Sequence, residues 1–218
     1  MSPGMIGILI NGTWQTILMV IVSCFFAVVF GLPLGILLFV TRRYQILSSP
    51  YLNKMLGGIV NIIRSIPFII LMVAIIPFTR LIVGTSIGTI AAIVPLAVAA
   101  IPFVARLVES ALMEVPVGLI EAAEAMGATP WQIIKKVLVP ESMPGLVRGI
   151  TLTLVTLVGY SAMAGAVGGG GLGDIAIQYG YQRFQVYVML ATVVILVILV
   201  QLLQWGGDLI AKRLSHSR

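Results

Sequence analysis

The sequence predicts an all-α integral membrane protein with five transmembrane helices and one long cytoplasmic loop. Three observations carry that prediction. The composition is 60% hydrophobic and 9% charged, with a mean hydropathy of +1.14, whereas soluble domains use ~45–50% apolar residues. Apolar stretches of about 20 residues, enough to cross a ~30 Å hydrocarbon core as helix, recur five times. The basic residues gather in alternate connections between those stretches, the pattern that orients membrane proteins.

The elements follow in order. Residues 1–12 are expected to form an extracytoplasmic terminus; with no Lys or Arg before the first apolar run, they lack the basic start of a cleaved signal peptide. The first span, 16–40, contains Gly31 and Gly35 at GxxxG spacing, which suits close helix packing within the chain as well as between copies. Cys24, the one cysteine, excludes an internal disulfide and any multi-cysteine metal site. The second span, 55–77, carries Arg64 about nine residues in, an expensive depth for charge. Its long stem suits anchoring at the interface; a carboxylate or a partner subunit is the alternative. The third span, 84–104, is rich in alanine, and with Pro33 and Pro67 its Pro95 and Pro102 mark bends that neighbouring helices or water must satisfy. The fourth and fifth spans cover 146–167 and 187–205, and 205–218 is a basic tail in which His216 is assigned no role.

Charge sets the orientation. Eleven of the thirteen basic residues fall on one side: Arg42, Arg43, Lys54 and Arg64, then Arg106, Lys135, Lys136 and Arg148, then Lys212, Arg213 and Arg218. Only Arg80 and Arg183 fall on the other. The rich side is expected to be cytoplasmic, so the N-terminus faces out, the C-terminus faces in, and the long loop at 105–145 is cytoplasmic. The same distribution argues against a nucleic-acid partner, because the charge is divided among separate loops.

Absences narrow the function. No lysine follows a glycine, so the chain carries no GxxxxGK[ST] phosphate loop and no ATPase of its own. The seven carboxylates are all expected in loops or at span ends, leaving no buried acid for a proton relay. "GGGGLGD" contains Gly168, Gly170 and Gly173 at dinucleotide-fingerprint spacing, but a membrane span precedes it where a strand is required. Close packing, or bending at a gate, explains the glycines better. In the fourth span Thr156, Tyr160, Ser161 and Ala164 make one small, weakly polar face, which suits either an aqueous path or hydrogen bonds to a neighbouring helix.

The stretch "EAAEAMGATPWQIIKKVLVP" breaks the apolar pattern. Pro116 suits the start of a helix through Met126, and Gly127 stands where left-handed geometry ends helices. Thr129, Pro130 and Gln132 then open a second helix with a capping box, which is expected to carry Trp131, Ile134 and Leu138 on one face and to stop before Pro140. The first helix bears Glu121 and Glu124 and no base. Helices lying on the negative cytoplasmic leaflet favour Lys and Arg, so this one suits a protein partner better than lipid.

This stretch resembles the EAA motif of the membrane subunits of type I ABC importers. Glu121, Ala122, Ala123 and Gly127 match it, while Val137 and Val139 replace the usual Ile and Leu. The likeness covers nearly the whole chain, and "NIIRSIPFIILMVAIIPFTRLIVGTSIG" with "LVGYSAMAGAVGGGGLG" is most like the methionine-importer permeases. The resemblance implies an ABC transmembrane type-1 domain over 13–204. It implies a homodimer around a central path and two cytoplasmic ATPases that bind ATP and Mg and grip the EAA helices of this chain, which has no cofactor itself. A separate binding protein would deliver methionine from outside. The implied setting is a bacterial inner membrane. The coupling residues would be Glu121, Ala122, Ala123, Glu124 and Gly127, and the path would be lined by Thr156, Tyr160, Ser161 and Ala164. On the residues alone, an ion-coupled carrier or channel and a structural membrane subunit stay open.

Overall fold

A computed structural model describes residues 3–216; the His216 side chain, Arg218 and the first two residues of the predicted outer terminus lie outside the described residues. Every regular element among the described residues is helical. Four helices are long and apolar enough to cross a membrane, or five if the bent pair in the second predicted span counts as one.

Helix α1 (Pro3–Val40) begins at Pro3, so the predicted outer terminus is helical from residue 3 onward. Proline is favoured in the first turn, no charged residue follows before Val40, and Pro33 lies within the helix without ending it. The largest departure from expectation is the second span. It divides into α2 (Pro50–Ser65) and α3 (Phe68–Ala74), bent by 100° where Ile66 and Pro67 are extended. Pro67 cannot donate to the preceding turn, and its ring keeps the residue before it out of helical geometry. A short α4 (Ile76–Val83) ends on Gly84 at φ +80°.

Helix α5 (Thr89–Met113) starts later than predicted and runs past 104, taking in Arg106 and Glu109. Glu109 is therefore buried, contrary to the expectation that every carboxylate lies in a loop or at a span end. The Arg106 guanidinium bonds it at 2.5 Å and also reaches Gly57 O and Asn61 Oδ1, while Arg42 Nε lies 3.9 Å away. Two cations, Arg106 on α5 and Arg42 in the turn after α1, make burial of the acid tolerable, and the cluster ties the end of α1, α2 and α5 together.

The long loop is mostly helix as well: α6 (Val117–Ala125), then α7 (Pro130–Ile133) running on without interruption into α8 (Val139–Ala166). The expected stop before Pro140 does not occur. A π-helical turn, Ile134–Leu138, precedes the proline, with Val139 N–H donating to Ile134 O. The wider turn absorbs a residue that has no N–H and would crowd the carbonyl four positions back. After α9 (Gly171–Ile175), α10 (Val186–His216) carries the predicted tail as helix.

Long-range contacts place the ends of these helices. Near the start of α1, Gln15 Oε1 and Thr16 Oγ1 accept from Gly171 N–H and Leu172 N–H, both at 2.9 Å. Gly88 N–H, just before α5, donates to Gly168 O, just after α8. At the opposite end, Arg42 after α1 meets Glu109 near the close of α5. The chain thus traverses the bundle five times, α2 to α4 together making the second passage. The core lies among α1, α5 and α8, around Met19, Leu96, Leu112, Leu138 and Leu157. The GxxxG pair serves packing inside this chain: a Cβ on Gly31 would stand 2.8 Å from Ile101 O, and one on Gly35 2.5 Å from Ala105 O, both on α5. The glycine run near 168–173 is likewise close packing, since a Cβ on Gly173 would meet Ala162 Cα at 2.5 Å.

Candidate coupling loop and membrane path

Helix α6 is closed by a double hydrogen bond. Gly127, at φ +77°, donates its N–H to Glu124 O at 2.9 Å, and Ala128 N–H donates to Ala123 O at 3.1 Å. These are the two bonds of a Schellman stop, which needs a left-handed residue at the position of Gly127. The next helix starts with both halves of its capping box: Gln132 N–H to Thr129 Oγ1 at 3.4 Å, and Thr129 N–H to Gln132 Oε1 at 2.8 Å. Both ends of the turn are therefore pinned.

Burial divides the EAA residues into two groups. Ala123 and Ile120 face inward and pack with Ile133, Ile134 and Leu138 in the main core. Glu121, Ala122, Glu124 and Gly127 are exposed, and Glu121 and Glu124 make no ion pair among the described residues. Trp131 departs from its expected face. It is 69% exposed while Ile134 and Leu138 are buried. An acidic surface flanked by exposed Met126 and Trp131 remains open at this end of the bundle.

The four path candidates do not share one environment. Thr156 and Tyr160 are half-buried; Thr156 Oγ1 donates to Leu152 O at 2.8 Å, and the Tyr160 ring stacks on Phe68 of α3 at 4.6 Å and 4°. Ser161 and Ala164 are buried, Ser161 Oγ donating to Val158 O at 2.8 Å. These two belong to the packing of the protomer and do not line an open face. The face of α8 left open instead carries Leu152, Gly159 and Met163. Helical spacing identified a small face but not the neighbour it meets. Sequence reading also missed Gln15 and Thr16 as partners of the glycine loop, for which no short-range signal exists. No group of His, Cys, Asp or Glu among the described residues is placed to hold a metal ion.

Residues 31–216 match the family described as the inner membrane component of binding-protein-dependent transport systems. The chain belongs to this family. It is 57% identical over 209 residues to the probable D-methionine transport system permease protein MetI of Vibrio cholerae, covering 96% of this chain and 93% of that protein. To the D-methionine transport system permease protein MetI of Escherichia coli it is 62% identical over 165 residues, 76% of each chain. It superposes on a chain of the MetNI methionine ABC transporter, solved in an inward-facing conformation, with a TM-score of 0.97 and 59% identity over 98% of this chain and 99% of that one. As a member of this family the chain is a multi-pass inner-membrane transport component and not an enzyme.

Proposed function

We propose that this chain is the permease of an ATP-driven methionine importer, working as a homodimer with two cytoplasmic ATPases and an extracytoplasmic binding protein. The names of its relatives support methionine, and those relatives make both enantiomers the substrates to test first. The observation that carries the coupling mechanism is the continuity of helix from Pro130 to Ala166. Of the coupling residues, Glu121, Ala122, Glu124 and Gly127 form the exposed face of a unit whose buried side, Ala123 included, is seated on that same helix. A partner gripping α6 therefore acts on the membrane-crossing part of α8 with no flexible linker between. A ligand shifts a conformational equilibrium only by its differential interaction with the two states, and ATP and Mg on the partner would supply that difference. Thr156 and Tyr160, the half-buried members of the predicted path, would face the substrate as α8 moves. The eleven-to-two division of basic residues supports an outer N-terminus and a cytoplasmic C-terminus.

The test is uptake of labelled methionine into proteoliposomes holding this chain with its co-purified ATPase and a binding protein. Uptake should require ATP. Uptake driven by a sodium or proton gradient without ATP would instead identify an ion-coupled carrier, and no uptake under either condition would leave a structural subunit.

A further inference from the structure

The helix break between α2 and α3 opens a cavity of about 180 Å³, lined in part by Arg64, Phe68, Ala99, Phe103 and Tyr160. That is smaller than the ~300 Å³ at which drug-sized sites begin, a scale suited to a single amino acid. Three other cavities run along α1, α5 and α8 or in the groove between α8 and α10, and their linings are largely aliphatic.

Arg64 distinguishes this cavity. Its guanidinium lies 6.0 Å from the centre of the Phe103 ring, near the middle of α5, and makes no hydrogen bond or ion pair among the described residues. The other arginines near the core behave differently: Arg42 and Arg106 share Glu109, and Arg106 is further held by Gly57 and Asn61. Arg64 is exposed at the end of α2 and level with the middle of α5. An arginine with no counter-charge beside a membrane-crossing helix points to a binding role, and its planar fork fits a carboxylate bidentately. The walls complement it. Phe68 and Tyr160 stack face to face and line the cavity together with Phe103, and aromatic rings favour thioether side chains. Sites of this kind form in transporters where a membrane helix is broken.

We propose that this cavity is a transit subsite for an amino acid, with Arg64 holding the substrate carboxylate and the Phe68, Phe103 and Tyr160 rings contacting its side chain. The assignment rests on reading the chain as an amino-acid permease. It places one wall, Tyr160, on the helix that is continuous with the coupling pair, so movement of α8 would open or compress the subsite.

Ala99 supplies a local reporter. In the assembled permease–ATPase complex carrying Cys24→Ala and Ala99→Cys, the rate of thiol modification at position 99 is followed while methionine is titrated. Methionine should slow the reaction, and methioninol, which lacks the carboxylate, should not. Adding Arg64→Gln should weaken protection on the order of ten- to a hundredfold, the worth of a charge-assisted hydrogen bond. Arg64→Lys should fall between, because it keeps the charge without the fork. Co-elution with the ATPase checks that each variant assembles. Absence of protection by methionine, equal protection in Arg64→Gln, or equal protection by inorganic phosphate would each overturn the subsite. Uptake is measured separately on the parent protein: ATP-dependent uptake with no protection at position 99 removes the subsite and leaves the transport reading standing.

Discussion

Replacing Gly127 with valine isolates the turn that joins α6 and α7, the proposed coupling helices. A Cβ built at this position meets nothing within 4 Å, so added volume has no steric cost inside the chain. The cost is conformational. The residue sits at φ +77°, and an L side chain in left-handed geometry costs about 1–2 kcal/mol, with β-branched residues the worst case. What holds the turn is of similar size: the Gly127 and Ala128 N–H bonds to Glu124 O and Ala123 O, each contributing ~0.5–1.5 kcal/mol net. Valine therefore brings the closed turn close to balance with an opened one. Free energies that couple two sites in a protein are typically ~1–3 kcal/mol, so strain of this size is enough to uncouple. Methionine uptake per ATP hydrolysed in reconstituted vesicles should fall about tenfold in Gly127→Val, with the ATPase still co-purifying or partly lost. Gly127→Asn should retain most of the coupling, because asparagine tolerates the left-handed region. Wild-type coupling in Gly127→Val would refute the argument. So would equal damage by asparagine and valine, since that outcome would locate the defect in the side chain's contact with a partner and not in the backbone.

Two further outcomes follow from the geometry. In a Cys24→Ala background, a single cysteine at Tyr181 should react with an impermeant maleimide added to intact cells, whereas cysteines at Tyr44, Trp131 and Ser215 should react only after the membrane is opened; labelling of position 131 in intact cells would reverse the orientation. Glu109→Ala leaves Arg42 and Arg106 without their shared acid; both are part-exposed and Arg106 keeps its bonds to Gly57 and Asn61. The loss is therefore that of a charge-assisted hydrogen bond, about 1.5–3 kcal/mol, and the melting temperature of the purified complex should drop by a few degrees. An unchanged melting temperature would mean that the Arg106 bonds to Gly57 and Asn61 hold α2 without the carboxylate.

The parts of this fold legible in the sequence are those decided within a few residues. Gly127, Thr129 and Gln132 act through bonds spanning three to five positions, so their turn and capping box could be read directly. Apolar length and the division of basic charge are local properties too, and they gave the helical class and the five passages. Features settled by residues far apart in the chain were not legible. Glu109 reads as a loop carboxylate until Arg42 arrives from the end of α1. The break at Pro67 reads as a bend, but its 100° depends on what α3 packs against. Ser161 and Ala164 satisfy the spacing of a polar face, yet which side of α8 is covered depends on the neighbouring helices. Trp131 continues an apolar stripe that outlasts the core it was expected to join.

The distribution of close contacts suggests how force and substrate would meet. Helices α1 and α5 pack as one closely fitted frame, because at Gly31 and Gly35 their backbones approach so closely that a Cβ would clash. Gln15 and Thr16 extend that frame to the glycine loop at the far end of α8 through side-chain acceptors on backbone amides. The coupling end of α8 is held differently, by aliphatic contacts of Ile133, Ile134 and Leu138, and by a π-turn whose backbone bonds are already displaced from the regular ladder. Apolar contacts are non-directional, so this end can shift with less loss than the hydrogen-bonded end. A push delivered at α6 would then tilt α8 about its glycine-loop end, and the side chains travelling farthest would be those nearest the coupling pair. Tyr160 lies toward the pivot, where its movement is small but acts directly on the stack with Phe68 and on the cavity that holds Arg64. A small displacement suffices there: a bidentate grip on a carboxylate is lost with a shift of about an ångström, so a helix pivoting nearby would release the substrate without crossing the membrane itself.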